Sequence, residues 1–141
     1  MASIFTKIIQ GDLPGRFVWR DEEAVAFLTI APLRPGHTLV VPIREVDHWL
    51  DMDPALTAHL TAVAQKVGQG IQDAFSPVKV GMMIAGLEVP HVHLHLVPIH
   101  ALRDLDFAGA DTNPDPAAMD EAAERLRSAL RARGHAEVVD A

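Results

Sequence analysis

The sequence predicts a single domain that combines α-helices with β-strands. The chain has 141 residues, of which 49% are hydrophobic and 22% charged, and this is the size and balance of one globular domain. Five short segments rich in apolar and β-branched residues are typical of strands, and one long segment with helical periodicity lies between the third and the fourth. A shorter helical segment lies near each end of the chain, and no internal repeat occurs.

The first half of the chain is expected to form one short helix and three strands. Ser3 can cap a helix over residues 3–10, which Gly11 ends. The strands are expected at residues 17–20, 24–30 and 37–42, with the first two joined as a hairpin. Pro and Gly residues break the chain before the third strand, whose Thr-Leu-Val-Val sequence is typical of a buried strand.

The second half opens with the longest helical pattern, over residues 54–75. Pro54 suits the first turn of a helix and Asp53 its N-cap. The apolar stripe of this helix comprises Leu56, Leu60, Val63, Val67 and Ile71. Gly68 and Gly70 either weaken the last turns or let another backbone approach closely. Two further strands are expected at residues 78–85 and 91–98.

The composition changes after residue 100. Residues 103–118 are rich in Asp and Pro and are expected to form an ordered, irregular loop. An amphipathic helix is expected over residues 120–133, followed by Gly134 at a C-cap position. We therefore expect a domain over residues 1–102, with a C-terminal loop and helix over residues 103–141 that pack on the same domain.

The bulk charge and composition exclude several classes of protein. A formal net charge of −7 argues against nonspecific nucleic-acid binding, which needs a cationic surface. An anionic phosphate would therefore have to be bound by local donors. The chain has no Cys, so disulfides and thiolate zinc sites are excluded. No apolar run approaches the ~20 residues of a membrane span. We therefore expect no membrane partner, and we expect the protein to be cytoplasmic.

Three of the eight His residues alternate within the last predicted strand, as His91, His93 and His95. Because side chains on a strand alternate between faces, these imidazoles share one face, at successive separations of about 6–7 Å. Val92 and Leu94 point to the opposite face and can enter the core. A strand that is half buried normally places Thr, Lys or Glu on its other face, so three imidazoles there need an explanation.

Three interpretations of this histidine face are open. It can be a row of solvent-facing side chains without a role, or a metal site completed by Glu88 or His37. It can also be a site for nucleophilic catalysis, because a neutral imidazole can attack phosphorus and form a phosphoramidate intermediate. An unperturbed pKa of about 6.5 leaves much of an imidazole neutral at cellular pH, and neighbouring imidazoles disfavour being charged together. The middle residue, His93, is then the nucleophile.

The heptad at residues 91–97, His-Val-His-Leu-His-Leu-Val, resembles the His-φ-His-φ-His-φ-φ signature of the histidine triad (HIT) family, where φ is apolar. Three further segments resemble the same family in the expected order. Residues 4–9 resemble its opening helix, residues 27–42 its proline-glycine-histidine strand, and residues 86–91 the approach to the triad. The resemblance covers about the first hundred residues.

The resemblance implies an α+β fold with a five-stranded antiparallel sheet. Around that sheet we expect the short N-terminal helix, the long central helix and the C-terminal helical extension. The resemblance also implies a homodimer, and an enzyme that hydrolyses or transfers at the α-phosphate of nucleoside 5′-phosphate derivatives through a nucleotidyl-histidine intermediate. The implied substrates are nucleoside phosphoramidates and dinucleoside polyphosphates, and no cofactor is required.

The resemblance also implies roles for individual residues. His93 is the nucleophile, His95 contacts the phosphate and the leaving group, and His91 supports the tautomer and geometry of His93. His37 extends the hydrogen-bonded relay from the neighbouring strand. The expected nucleotide-binding residues are Ile4, Phe5, Ile8, Phe27, Leu28, Thr29, Leu87 and Glu88. For the apolar members of this set, plain core packing is an open alternative.

The chain departs from the family pattern at its N-terminus. Many relatives carry Cys-x-x-Cys there for a structural zinc, and this chain has Ser3 and Thr6 at those positions. A zinc ion at the N-terminal site is therefore not expected. His48 lies near a family ligand position, and we expect it to be a surface residue.

Two further departures concern the substrate. Thr29 stands where many relatives hold the ribose hydroxyls with an acidic residue or Asn, and a Thr hydroxyl cannot accept two hydrogen bonds in bidentate fashion. Leu87 and Glu88 stand where a Gln and a Ser or Thr are common. A carboxylate beside a phosphate is unfavourable, so Glu88 points away, binds a leaving-group amine, or pairs with Arg34 or Arg44.

The sequence thus leaves three functional hypotheses. The leading one is a HIT-type hydrolase or nucleotidyl transferase. The second is a nucleotide-binding signalling module with weak or no catalysis, which the altered residues Leu87 and Glu88 motivate. The third is a metalloenzyme built on the same three histidines.

Overall fold

A computed structural model describes the whole chain, residues 1–141. Its centre is one sheet of five antiparallel strands in the spatial order β1-β2-β3-β5-β4. The strands are β1 (Phe17–Arg20), β2 (Ala24–Leu28), β3 (Thr38–Pro42), β4 (Lys79–Met83) and β5 (Leu94–Ile99). The α+β class and the five-stranded antiparallel sheet are confirmed.

Three α-helices accompany the sheet: α1 (Ile4–Ile9), α2 (Pro54–Phe75) and α3 (Pro116–Ala132). α2 has the predicted bounds, with Pro54 in its first turn. Asp53 is its N-cap residue by position, but its side chain makes no capping hydrogen bond. Ser3 caps α1, because its hydroxyl oxygen accepts the Thr6 N–H at 3.1 Å. No helix of the protein is long and apolar enough to cross a membrane.

The two faces of the sheet are covered differently. One face packs against α2 and α3, and its core includes Val40, Leu94 and Leu96 from the central strands. The predicted stripe of α2 lies in this core, so it packs on its own sheet. The other face carries a smaller apolar cluster that includes Phe5 of α1 and Phe27 of β2. Because α1 is only six residues long, it leaves part of this second face open.

The sheet order brings the segment before β3 next to the histidine strand. β5 lies between β3 and β4, and Leu39 pairs with His95 and Thr38 with Leu96. His37, which directly precedes β3, therefore lies beside the His95 side chain. The sequence pattern does not reveal this strand order, which brings His37 and His95 together from distant parts of the chain.

Several predicted boundaries are wrong by a few residues. The ladder of β5 begins at Leu94, not at residue 91, because its partner pairs only as far as Val40. The preceding residues stay extended, and Val92 N–H donates to the Val46 carbonyl at 2.7 Å in place of a strand partner. β2 ends at Leu28 and β4 covers only Lys79–Met83.

The C-terminal prediction also needs correction. α3 begins at Pro116, four residues before the expected start, with Asp115 as its N-cap and Met119 buried in its first turn. The expected irregular loop contains two 3-10 turns, Leu102–Leu105 and Phe107–Gly109.

Candidate active site

The three alternating histidines are buried on the face that α1 partly covers. Their exposed fractions are 0% for His91, 6% for His93 and 8% for His95. The ring of Phe5 meets His93 edge to face at a centroid distance of 4.8 Å, and the rings of His93 and His95 are also 4.8 Å apart. The interpretation as a solvent-facing row is therefore wrong.

A backbone carbonyl fixes the tautomer of His93. Its Nδ1–H donates to the main-chain oxygen of His91 at 2.7 Å. Because a carbonyl oxygen only accepts, Nδ1 carries the proton and the neutral ring keeps its lone pair on Nε2. No buried side-chain nitrogen lacks a partner, so the unpaired Nε2 is an accessible atom of the site.

A backbone amide fixes the tautomers of His37 and His95 in the same way. The Leu33 N–H donates to Nδ1 of His37 at 3.0 Å, so a neutral His37 carries its proton on Nε2. That Nε2–H donates to Nδ1 of His95 at 3.0 Å. The proton of a neutral His95 is then on Nε2. The site therefore presents a lone pair on His93 and an N–H donor on the adjacent His95.

The surroundings keep these imidazoles uncharged at neutral pH. Burial, followed by the neighbouring imidazoles His95 and His93, lowers the pKa of His37 to about 3. Burial and the neighbouring His93 lower the pKa of His95 to about 4. Burial also lowers the pKa values of His91 and His93, although the hydrogen bond of each ring to a main-chain carbonyl opposes the shift. A neutral ring is the form that carries a nucleophilic lone pair.

His91 is not directed at the open part of the site. Its Nε2–H donates to the Pro42 carbonyl at 2.7 Å, and its Nδ1 lies 2.7 Å from the Ser3 hydroxyl. Both ring nitrogens are thus occupied by protein groups. The contribution of His91 to His93 comes from its main-chain carbonyl.

A cavity of about 720 Å³ opens onto His93 and His95. The structure brings all the predicted nucleotide-binding residues to its wall, namely Ile4, Phe5, Ile8, Phe27, Leu28, Thr29, Leu87 and Glu88. His37 and His91 lie behind this wall. The apolar members of the set line the cavity as well as packing together, and their role toward a ligand stays a prediction.

Among the lining residues that the sequence analysis missed, three have an aromatic or charged side chain: Phe107, Arg16 and Asp120. The ring of Phe107 meets His95 at a centroid distance of 5.1 Å, and Arg16 lies at the wall with its Nε 2.8 Å from Asp120. Phe107 and Asp120 come from the C-terminal loop and helix, which carried no motif. The only signal for Arg16 was its place directly before the first predicted strand.

The structure places the two altered residues of the approach loop at the cavity rim. Leu87 is 96% exposed and Glu88 is also exposed. The suggested pair of Glu88 with Arg34 is wrong, because Arg34 lies 3.7 Å from Asp104, and Arg44 forms no ion pair either. The hydroxyl of Thr29 accepts the Ala31 N–H at 3.2 Å, which occupies part of its hydrogen-bonding capacity.

The donor geometry does not favour a metal centre on the triad. No group of three or more His, Asp or Glu side chains is arranged to hold a metal ion. The nitrogens of His37 and His95 that face each other share one proton, so neither lone pair is free at that contact. His48 is exposed and caps a short 3-10 turn through Nδ1, which accepts the Leu50 N–H at 3.2 Å.

Comparisons with known proteins agree with this geometry. The family model described as HIT domain matches residues 10–102. The chain is 33% identical over 106 residues to Protein hit of Bacillus subtilis (strain 168), covering 72% of this chain and 73% of that protein. The structure is similar to that of a Zn-bound histidine triad family protein from Mycobacterium smegmatis, with a TM-score of 0.81, 28% identity and coverage of 95% and 96%.

One further relative carries an enzyme name. It is the asymmetrical bis(5'-nucleosyl)-tetraphosphatase of Schizosaccharomyces pombe, 36% identical over 85 residues. The alignment covers 57% of this chain and 47% of that enzyme, so the chain matches less than half of that protein.

Proposed function

The chain belongs to the HIT family, and from that premise we propose that it hydrolyses or transfers at the α-phosphate of nucleoside 5′-phosphate derivatives through a nucleotidyl intermediate on His93. The observation that carries the proposal is the hydrogen bond from His93 Nδ1–H to the His91 carbonyl. It leaves an unprotonated Nε2 beside the cavity, next to the N–H donor of His95.

The first half of the reaction forms a phosphorus–nitrogen bond. The lone pair on Nε2 of His93 attacks the α-phosphorus, and the bond from phosphorus to the leaving group breaks with its electron pair on that group. The His95 Nε2–H hydrogen bond stabilises this developing negative charge. A phosphoramidate nitrogen takes up a proton from solvent before its bond to phosphorus breaks, so that it leaves as a neutral amine, whereas a phosphate or nucleotide leaving group needs no proton.

The second half returns the enzyme to its starting form. Water attacks the same phosphorus and releases a proton to solvent, and the electron pair of the phosphorus–nitrogen bond returns to Nε2 of His93. While the intermediate exists, both nitrogens of the His93 ring are substituted and the ring is cationic. The His91 carbonyl, 2.7 Å from Nδ1, stabilises that charge.

The cavity supports a nucleoside next to this centre. Its volume of about 720 Å³ is within the range of sites that enclose a small molecule. The rings of Phe5 and Phe27, 5.6 Å apart, form an apolar wall against which a base can pack. The protein as a whole is anionic, so the local imidazole N–H groups must bind the phosphate.

The chemistry of the site favours a substrate with a good leaving group on the α-phosphate. Dinucleoside polyphosphates satisfy this, as do phosphoramidates whose nitrogen is protonated, and the Schizosaccharomyces pombe relative is named as a bis(5'-nucleosyl)-tetraphosphatase. The exposed carboxylate of Glu88 at the cavity rim favours a cationic amine leaving group over another phosphate. We therefore rank phosphoramidates first.

Turnover assays test this proposal. The purified protein is incubated with adenosine 5′-phosphoramidate or with diadenosine tetraphosphate, and release of AMP is followed by chromatography. We expect AMP from the wild type and none above background from the His93→Ala variant. The matched control is His100→Ala, which removes an exposed imidazole outside the site and is expected to leave turnover unchanged.

Other outcomes would point to a different function. Equal turnover by wild type and His93→Ala would contradict the assignment of the nucleophile. Binding of AMP by calorimetry without turnover of either substrate would favour a nucleotide-binding module, the hypothesis that Leu87 and Glu88 motivate. Turnover that is lost with a chelator and restored by a metal would favour the metalloenzyme.

We also propose that the protein is a homodimer that uses the edge strand β4. This strand has one free edge. Met82 within it is 51% exposed, and Val78 and Ile84, which directly flank it, are 69% and 36% exposed. An exposed apolar edge of this kind favours pairing with another chain.

A further inference from the structure

Behind the nucleophile, four side chains form one hydrogen-bonded cluster that joins α1 to the triad. The hydroxyl of Ser3 lies 2.7 Å from Nδ1 of His91. The carboxylate oxygen Oε1 of Glu45 accepts the Ser3 N–H at 2.6 Å and the Thr6 hydroxyl at 2.7 Å. Ser3 is 7% exposed and His91 is fully buried, so the contact between them is shielded from solvent.

The direction of each hydrogen bond in this cluster is determined by its partners. His91 must carry its proton on Nε2, because that atom bonds to the Pro42 carbonyl, and its Nδ1 is therefore an acceptor. The Ser3 oxygen already accepts the Thr6 N–H, so its own proton is donated to His91. The Thr6 proton goes to Glu45, which as a carboxylate can only accept.

The charge of Glu45 suits this arrangement. Its carboxylate accepts hydrogen bonds first from the Ser3 main chain and then from the Thr6 hydroxyl, and these lower its pKa to about 2. The Glu45 carboxyl group is therefore ionised at neutral pH. The cluster has one anion, two hydroxyl groups and a neutral imidazole, and each acceptor faces a donor.

The same positions do not fit a structural zinc ion. Zinc in proteins is held by thiolate, imidazole or carboxylate groups, usually four of them in structural sites. Here Ser3 and Thr6 supply neutral hydroxyls, and only His91 and Glu45 are of a suitable type. His48 is exposed and its Nδ1 is occupied by the Leu50 N–H.

We propose that Ser3, Thr6 and Glu45 form a metal-free hydrogen-bonded clamp that positions His91 and, through its main-chain carbonyl, fixes the reactive tautomer of His93. The carbonyl oxygen of His91 accepts the hydrogen bond from Nδ1–H of His93. A rotation of His91 therefore moves the acceptor that keeps the proton on that nitrogen. These three are positioning residues, since none of them reaches Nε2 of His93. Only the catalytic consequence of the clamp rests on the proposed function.

The tautomers can be measured without turnover. Nitrogen-15 NMR of the histidine side chains distinguishes protonated from unprotonated ring nitrogens, and a His93→Asn variant assigns the His93 signals. We expect Nδ1–H for His93 and Nε2–H for His91 in the wild type. In the Ser3→Ala variant, His93 is expected to become a mixture of both tautomers. A Ser3→Thr variant keeps the hydroxyl and is expected to restore the wild-type pattern.

Kinetics add a second readout. Loss of one such hydrogen bond corresponds to about a 2- to 10-fold change, and we expect Ser3→Ala to lower kcat by that factor with KM within about two-fold. The control is Lys7→Gly, which weakens α1 at an exposed position outside the cluster. It is expected to lower Tm without changing the His93 tautomer or kcat.

Two results would overturn the proposal. One is a Ser3→Ala variant with an unchanged His93 tautomer and kcat and a Tm lowered as in Lys7→Gly, because Ser3 would then only cap the helix. The other is stoichiometric zinc in the untagged protein with a Tm that falls on chelation. A wild type with the expected tautomers and no turnover would instead contradict the proposed function and leave the clamp intact.

Discussion

Two main-chain groups determine which nitrogens of His93 and His37 carry the ring proton. The His91 carbonyl accepts from Nδ1 of His93, and the Leu33 amide donates to Nδ1 of His37. A carbonyl can only accept a hydrogen bond and an amide N–H can only donate one, so these groups determine the proton positions on His93 and His37. The hydrogen bond from His37 then determines the proton position on His95. The sequence predicts that the alternating histidines share a face, but it cannot predict these backbone partners, because the pattern contains neither the direction of the His91 carbonyl nor the position of Leu33, which lies outside the signature.

The pH dependence of kcat/KM follows from the lowered pKa of His93. Burial disfavours the imidazolium form, so the pKa lies below the ordinary value of 6.5. Protonation removes the attacking lone pair. We therefore expect the midpoint of the acidic decrease in kcat/KM to lie below pH 6.5. Steady-state assays at constant ionic strength, with circular dichroism to check folding at each pH, measure this profile.

An acidic limb centred at 6.5 or above would contradict this prediction. It would mean that the nucleophile is as easily protonated as a solvent-exposed imidazole, and that the buried site does not exist in solution.

Among the elements, α2 has the predicted bounds, whereas β5 starts three residues later than predicted. α2 has an apolar stripe, a Pro in its first turn and a length that matches the sheet it covers, so local signals agree with tertiary packing. The β5 ladder starts late because its pairing with β3 stops at Val40, although β3 itself continues to Pro42. The residues before Leu94 stay extended, but the Val92 N–H donates to the Val46 carbonyl in the segment before α2, and no local pattern reveals that partner.

The crossing of α2 and α3 depends on Gly70. A Cβ atom built there would lie 2.6 Å from Cδ2 and 2.9 Å from Cγ of Leu130, which is fully buried. We expect Gly70→Ala to lower the free energy of unfolding by roughly 1–3 kcal/mol, because the helices must move apart. Urea denaturation measures the change.

Gly68→Ala is the matched control for this prediction. Its Cβ would meet only Cγ1 of Val80, at an ordinary distance of 3.7 Å. The greater helix propensity of Ala is then expected to stabilise the protein by up to about 1 kcal/mol. Similar effects of the two substitutions would show that the helix crossing is not as close as described.

At the scale of the whole molecule, the larger hydrophobic core and the candidate active site lie on opposite faces of the sheet. The face covered by α2 and α3 contains the larger core, and the face partly covered by α1 contains the cavity and the triad. The triad was predictable because it carries a local signature, and the residues of the apolar wall were predicted from the family resemblance. Phe107 and Asp120 reach the cavity from the C-terminal segment through long-range contacts, and such contacts leave no periodicity in the sequence.

The proposed dimer makes a prediction at the same scale. Met82→Lys places a charge on the edge strand β4 and is expected to convert the dimer to a monomer, because an interface core disfavours an unpaired charge. Light scattering coupled to size-exclusion chromatography measures the mass. The charge-matched control, Ser128→Lys on an exposed position of α3, is expected to leave the mass unchanged. A monomeric wild type would contradict the proposal.

The most direct test of the central claim is to observe the covalent intermediate on His93. The protein is mixed with adenosine 5′-phosphoramidate, quenched within one turnover in alkaline denaturant, where a phosphorus–imidazole bond survives, and examined by intact and peptide mass spectrometry. The account predicts one adenylyl group on the wild type, located on His93, and none on His93→Ala. An adduct on another residue, or AMP formation by the wild type with no adduct at any time, would contradict it.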